Sequence, residues 1–181
     1  MTDKAEIRAS MRAQRKRLAG LDPMAASRLA EHVEALPPGD PVAVYRAIGS
    51  EIDMDALSLA LARQGRDLCL PVVIQPDEAM IFRRWTPGEP LEPDAIGVPA
   101  PLPLAEVLSP ALILTPMLAF DAAGGRLGQG GGYYDRTFAA LPEALRIGVA
   151  YAGQQVEGLS LESHDVRLHG VLTEVGYMAV P

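Results

Sequence analysis

The chain has one cysteine, no long apolar run and no excess of basic residues, and each shortage removes a class of function. Cys69, alone and set in the strand-like run Asp67-Leu68-Cys69-Leu70, reads as a buried, inert thiol and not as a nucleophile. Without a stretch of about 20 apolar residues no helix spans a bilayer, and the N-terminus is a charged amphipathic pattern lacking the apolar core of a signal peptide. The expected location is the cytoplasm, with no membrane partner. A formal net charge of −7 disfavours nucleic acid, whose phosphate backbone is bound by a basic face. No internal repeat is present.

What is present is globular. The 181 residues are 49% apolar and 22% charged, which fits one domain spanning residues 1–181 and a monomer or small homo-oligomer. The cations are unevenly spread. Arg8, Arg12, Arg15, Lys16 and Arg17 crowd the first predicted helix, and Lys4, Arg8, Arg12 and Lys16 recur every four residues along one side of it. Such a stripe is either a solvated face or a cradle for a small polyanion.

Apolar patterning predicts helices over Asp3–Ala19 and Asp22–Leu36, the latter with Asp22 as cap and Pro23 at the first helical position. Strands are expected over Pro41–Ile48, Arg66–Val73, Ala79–Trp85, Ala111–Pro116, Arg146–Ala152 and Gly170–Val175. Helices are expected over Asp53–Gln64 and Tyr133–Leu141. Their alternation argues for an α/β fold with a mostly parallel sheet and flanking helices. The proline-rich stretch Thr86–Pro110 reads as an extended excursion that walls a pocket.

The most informative segment is Gly124-Gly125-Arg126-Leu127-Gly128-Gln129-Gly130-Gly131-Gly132-Tyr133-Tyr134-Asp135-Arg136. Glycines at this density permit φ > 0 and let successive amides turn toward an anion. The helix expected from Tyr133 adds its positive dipole end. A flexible linker would bring serine and a featureless polar context; here a predicted strand precedes the loop and a predicted helix follows it. A dinucleotide fingerprint starting at Gly128 would need glycine where Tyr133 stands, and a P-loop starting at Gly125 would need lysine where Gly131 stands. The cradle is of another kind. Arg126 and Arg136 flank it with donor forks suited to phosphate oxygens, and Arg136, inside the helix, also fits a structural salt bridge.

The pattern Phe-Asp-x-x-Gly-x-Arg-Leu-Gly-x-Gly-Gly-Gly-Tyr-Tyr-Asp-Arg over residues 120–136 resembles the signature of the 5-formyltetrahydrofolate cyclo-ligase (methenyltetrahydrofolate synthetase) family. The resemblance extends to Lys4-x-x-x-Arg8, Ser50-Glu51-Ile52-Asp53, Leu70-Pro71 and His164-Asp165, and so over nearly the whole chain. It implies a fold of the NagB/RpiA/CoA transferase-like kind and an ATP-dependent conversion of 5-formyltetrahydrofolate to 5,10-methenyltetrahydrofolate. ATP is then co-substrate and Mg²⁺ the cofactor.

Carried over residue by residue, the resemblance implies ATP contacts from Lys4, Ala5, Glu6, Ile7 and Arg8. Further ATP contacts follow from Arg126, Leu127, Gly128, Gln129, Gly130, Gly131, Gly132, Tyr133 and Tyr134. Substrate contacts are implied for Arg8, Arg46, Glu51, Gln129, Gly130, Gly131, Gly132 and Tyr133. Asp135 and Asp165 are implied as metal ligands, and Lys4, Arg126 and Asp135 as the catalytic groups. Read without the resemblance, Glu51 also fits an acid ahead of a helix, Tyr133 and Tyr134 fit core aromatics, and Asp135 and Asp165 fit ordinary acids of a first helical turn and a loop.

Glu51 follows the Val42–Ile48 run, Pro71 closes the Leu68–Leu70 run and Asp121 follows the run ending at Leu114, so they should converge at the carboxyl edge of the sheet. The spacing of His164 and His169 suggests zinc, but no cysteine pair or third histidine accompanies them. Ala100 stands where the family commonly has a glutamate, and Gln129 where many relatives have an aromatic or basic residue. Two rival readings share the cradle: a sugar-phosphate isomerase, which needs no ATP, and a folate or nucleotide carrier, which needs no metal carboxylates.

Overall fold

The computed structural model describes residues 4–160 and 165–181. Helix α1 (Lys4–Leu21) leads to α2 (Ala25–Glu31) and a short 3-10 turn (Val33–Ala35). Strand β1 (Val42–Ala43), helix α3 (Asp55–Arg63), strands β2 (Leu68–Val72), β3 (Ile81–Arg84), β4 (Leu91–Pro93), β5 (Pro99–Pro101), β6 (Val107–Leu108) and β7 (Leu112–Pro116) follow. Then come the hairpin β8 (Ala119–Phe120) and β9 (Arg126–Leu127), helix α4 (Tyr133–Ala140), strand β10 (Leu145–Val149), a 3-10 turn (Ala152–Gln154), and strands β11 (Gly170–Thr173) and β12 (Gly176–Ala179).

Eight strands form one sheet in the order β12-β11-β10-β7-β1-β2-β3-β6. The five central strands, β11 to β2, run parallel, while β12 and β3 pair antiparallel at its flanks. The middle strands are apolar on both faces, as a sheet covered on both sides requires. Val42, Leu68, Leu70, Leu112, Leu114 and Ile147 pack with Leu29 of α2 and Leu57 and Leu61 of α3. On the other face Ala43, Cys69 and Ile113 pack with Phe138 of α4. Helix α3 joins β1 to β2 on one face and α4 joins β7 to β10 on the other, so the winding reverses between β1 and β7. Loops diverge at such a switch point and leave a crevice at the carboxyl ends of the strands.

Several expected boundaries shift. Asp22 and Pro23 do not open α2: the Asp22 carboxylate accepts from the Met24 N–H at 3.2 Å and pairs with Arg28, and the helix starts at Ala25. The expected strand Pro41–Ile48 keeps its ladder only over Val42–Ala43, because beyond Val44 the chain leaves the sheet to line the crevice. The excursion Thr86–Pro110 is not structureless. It holds the β4–β5 ribbon, and β6 extends the sheet edge at β3. The β8–β9 hairpin and β12 were not visible in the apolar pattern because the hairpin strands are two residues each and β12 is partly exposed. Cys69 is buried with its thiol pushed up to about 12 by burial, which fits the inert role.

Candidate active site

A cavity of about 600 Å³ opens at the carboxyl ends of β1, β2 and β7, within the range of small-molecule sites. Its wall takes Tyr45, Arg46, Ile48 and Glu51 from the segment after β1, Pro71 of β2 with Val73 just after it, and Pro116 of β7 with Met117 just after it. Asp94, Ile96, Val98 and Pro99 come from the excursion, which thus walls the pocket as expected. The remaining wall is cationic and glycine-rich: Lys4 and Arg8 of α1, residues 126–135, and Asp165.

The loop is shaped by its backbone. Gly130 and Gly132 take φ of 104° and 70°, conformations that side chains with a Cβ resist, whereas Gly131 does not need positive φ. Gly132 caps α4, and the Gly131 carbonyl accepts from Arg136 Nη2 at 3.0 Å. Helix α1 clamps the same loop. Arg8 Nε donates to the Gly128 carbonyl at 3.1 Å; Arg12 donates to the Gln129 side-chain oxygen at 3.0 Å and to its carbonyl at 3.3 Å. Gln129, a departure from the family pattern, is therefore a fixed part of the loop.

Arg126 enters from the β8–β9 hairpin. Its side chain is only 5% exposed, and Nη2 donates to Asp135 Oδ1 at 2.5 Å. Its guanidinium lies 5.9 Å from the Tyr134 ring centroid and 5.5 Å from that of Phe138. Its Nε–H is buried with no acceptor among the described residues, an arrangement that normally costs about 1–3 kcal/mol unless a ligand completes it. Lys4 Nζ pairs with Asp165 at 3.2 Å. Both candidate metal carboxylates are thus held by two of the candidate phosphate cations. Among the described residues no group of three His, Cys, Asp or Glu side chains is placed to hold a metal. A hard ion bound by two acids, phosphates and water fits this donor set; zinc does not.

Glu51 sits in the turn after β1, its side chain 7% exposed. Its Oε2 accepts from the Ile48 N–H at 2.9 Å, and its Oε1 lies 3.5 Å from Arg15 Nη1. Burial raises the carboxyl pKa, and the Ile48 amide and Arg15 oppose that rise. Arg46 lies on the same wall, paired with Asp55 and 5.7 Å from the Trp85 ring centroid. Tyr134 lines the cavity and packs on Phe138 at 5.9 Å, its hydroxyl pKa raised chiefly by burial. Tyr133 lies under Arg136, 4.8 Å from the guanidinium.

Four expectations are corrected or relocated. Among the described residues Arg136 makes no salt bridge; it donates to the Glu78 and Gly131 carbonyls and stacks on Tyr133. Asp121 is not in the cavity. Its carboxylate accepts from the Gly125, Ala123 and Leu159 amides at 2.7, 3.0 and 2.9 Å and shapes the hairpin that aims Arg126. Ala5 and Glu6 are exposed and Ile7 packs beside Met11 and Leu127, so of the N-terminal set only Lys4 and Arg8 reach the cavity wall. His164 lies outside the described residues, and His169 Nδ1 accepts from the Arg146 N–H at 3.0 Å. Ala100 is buried in β5 and leaves the wall without a carboxylate there.

The residue missed was Arg15. An α-helix repeats every 3.6 residues, so a four-residue stripe drifts around the axis while Lys4, Arg8, Met11 and Arg15 stay on one face. Met11 and Arg15 are buried and Lys16 is exposed; a seven-residue spacing was the available signal.

A profile of the 5-formyltetrahydrofolate cyclo-ligase family matches residues 1–174. The 5-formyltetrahydrofolate cyclo-ligase of Haemophilus influenzae is 36% identical over 142 residues, covering 72% of this chain and 74% of that protein. That of Escherichia coli K12 is 34% identical over 140 residues, covering 73% and 76%. The solved 5,10-methenyltetrahydrofolate synthetase of Aquifex aeolicus superposes with a TM-score of 0.83 at 28% identity over 98% of this chain and 92% of that one. The Mycoplasma pneumoniae synthetase, at 22% identity and a TM-score of 0.75 over 96% and 99%, shares the fold.

Proposed function

This chain belongs to the 5-formyltetrahydrofolate cyclo-ligase family and catalyses the ATP-dependent conversion of 5-formyltetrahydrofolate to 5,10-methenyltetrahydrofolate; from that premise we propose that both substrates meet in the cavity at the β1–β7 switch point. The observation that carries the placement is Arg126. Its buried guanidinium has an Nε–H unmet among the described residues, beside a left-handed glycine loop, which suits it to seat a phosphate oxygen.

In this reading the amides of residues 128–132, with Lys4, Arg8 and Arg126, hold the triphosphate. Tyr45, Ile48, Val73 and Met117 supply an apolar wall for the pteridine, and Glu51 offers a carboxylate to its donor-rich edge. Arg46, on the same wall, contacts the substrate. A formamide oxygen is a poor leaving group, so the γ-phosphoryl is transferred to it as ADP departs. N10 then attacks the formyl carbon and gives up its proton to water, the five-membered ring closes, and phosphate leaves. Phosphoryl transfer asks of the protein positioning and charge neutralisation, not a nucleophile. Asp135 and Asp165 would hold Mg²⁺, which supplies neutralising charge to the phosphates. Lys4 and Arg126, each paired with one of those acids, bind phosphate oxygens.

The test is to mix the protein with Mg-ATP and 5-formyltetrahydrofolate and follow the near-ultraviolet absorbance of the methenyl product. Growth that needs both ATP and Mg²⁺ is expected. Equal rates with and without ATP would overturn the reading.

A further inference from the structure

We propose that Arg15 is a positioning residue for the folate substrate: its guanidinium, inserted from α1 between the Glu51 carboxylate, the Ser50 hydroxyl and the Met117 carbonyl, fixes that carboxylate at the cavity wall. This rests on the reading of Glu51 as the folate-facing acid.

The geometry is a buried hub. The Arg15 side chain is 6% exposed and that of Glu51 7%. Arg15 Nε donates to Ser50 Oγ at 3.1 Å, and Nη1 donates to the Met117 carbonyl at 3.4 Å while lying 3.5 Å from Glu51 Oε1. The guanidinium therefore ties α1 to the turn after β1 and to the carboxyl end of β7, and Glu51 and Met117 are themselves cavity wall.

Folding alone does not require this pair. Position 15 lies one turn beyond the buried Met11 and near Leu18, which packs on the core. An apolar side chain there would pack without the desolvation cost of a buried cation, and replacing such pairs with apolar groups is often neutral or stabilising. The groups facing Glu51 are Arg15 from α1, Tyr45 after β1 and Tyr134 from α4. Among the described residues facing it only Arg15 carries a positive charge, so Arg15, with the Ile48 amide, favours ionised Glu51 against burial. The same helix is tied to the glycine loop without Arg15, through Arg8 and Arg12, so the ATP side keeps its own anchors when Arg15 is replaced.

The experiment compares wild type, Arg15→Met, Arg15→Lys and Ser50→Ala by KM for each substrate, pH profile and thermal unfolding. Removing a neighbouring cation raises a carboxyl pKa, and the ionised form is the one that binds. The acid limb of kcat/KM for 5-formyltetrahydrofolate should therefore move to higher pH in Arg15→Met. Its KM for that substrate should rise about tenfold while KM for ATP changes less than about twofold, with Arg15→Lys recovering the pH limb but not the full affinity. Should Arg15→Met fail to fold, Arg15→Lys and Ser50→Ala carry the test, each expected to raise the folate KM about threefold with the ATP KM held. Equal changes in both KM values, or an unmoved folate KM and acid limb, would reduce Arg15 to a structural role. Wild type that makes no ATP-dependent product would instead overturn the functional reading itself, so the two failures are distinct.

Discussion

Asp135→Asn should destabilise the ligand-free protein and then be partly rescued by ATP without magnesium. Arg126 is 5% exposed, and Asp135 is its one ion-pair partner among the described residues. Stripping the partner from a buried cation costs about 3–5 kcal/mol. Asp135 is 25% exposed, and asparagine keeps an oxygen that can accept from Nη2, so the expected loss is nearer 2 kcal/mol. In a chain of this length each kcal/mol moves the melting temperature about 2–4 °C, which predicts a fall of about 4–8 °C. A triphosphate returns an anion to Arg126, so in chelator the ATP-induced rise should be larger in the variant than in wild type. Adding Mg²⁺ should raise wild type further and the variant little, because one metal carboxylate is gone. Thermal unfolding of both proteins with and without ATP, in chelator and in Mg²⁺, reads all four arms. A variant that melts within about 1 °C of wild type and shows the same ATP and Mg²⁺ increments would refute the pairing argument.

Gly130→Val should weaken ATP binding by at least about tenfold while the protein stays folded, because Gly130 sits at φ 104° with only the Arg8 guanidinium about its missing Cβ, 3.6 Å away. Gly131→Val, at ordinary φ and against the Tyr133 ring at 3.1 Å, should weaken it less; calorimetric titration separates the two, and unchanged affinity in Gly130→Val would remove the loop from the phosphate site. Turnover measured against Mg²⁺ concentration should fall sharply in Asp135→Asn and Asp165→Asn, and the double variant should lose less than the sum of the two. Wild-type turnover and magnesium dependence in both single variants would leave the acids structural.

The glycine cradle, its flanking Arg126, the helix from Tyr133 and the α/β class were all legible in the sequence, because each follows from local rules. Dense glycine permits left-handed backbone, period-two and period-3.6 apolar patterns set strands and helices, and their alternation sets a parallel sheet. What stayed hidden is the set of partners, since contacts across tens of residues are decided by packing and not by spacing. Arg126 with Asp135 and Lys4 with Asp165 are paired because the β8–β9 hairpin and α1 bring them to one cavity wall. Asp121, read as a site residue, is spent on three backbone amides, two of its own turn and that of Leu159. Arg15 looked like one more cation on a charged helix. Only the docking of α1 against the turn after β1 and the end of β7 buries it beside Glu51, so the sequence determined the residues of this site and the tertiary structure decided which of them neutralise one another.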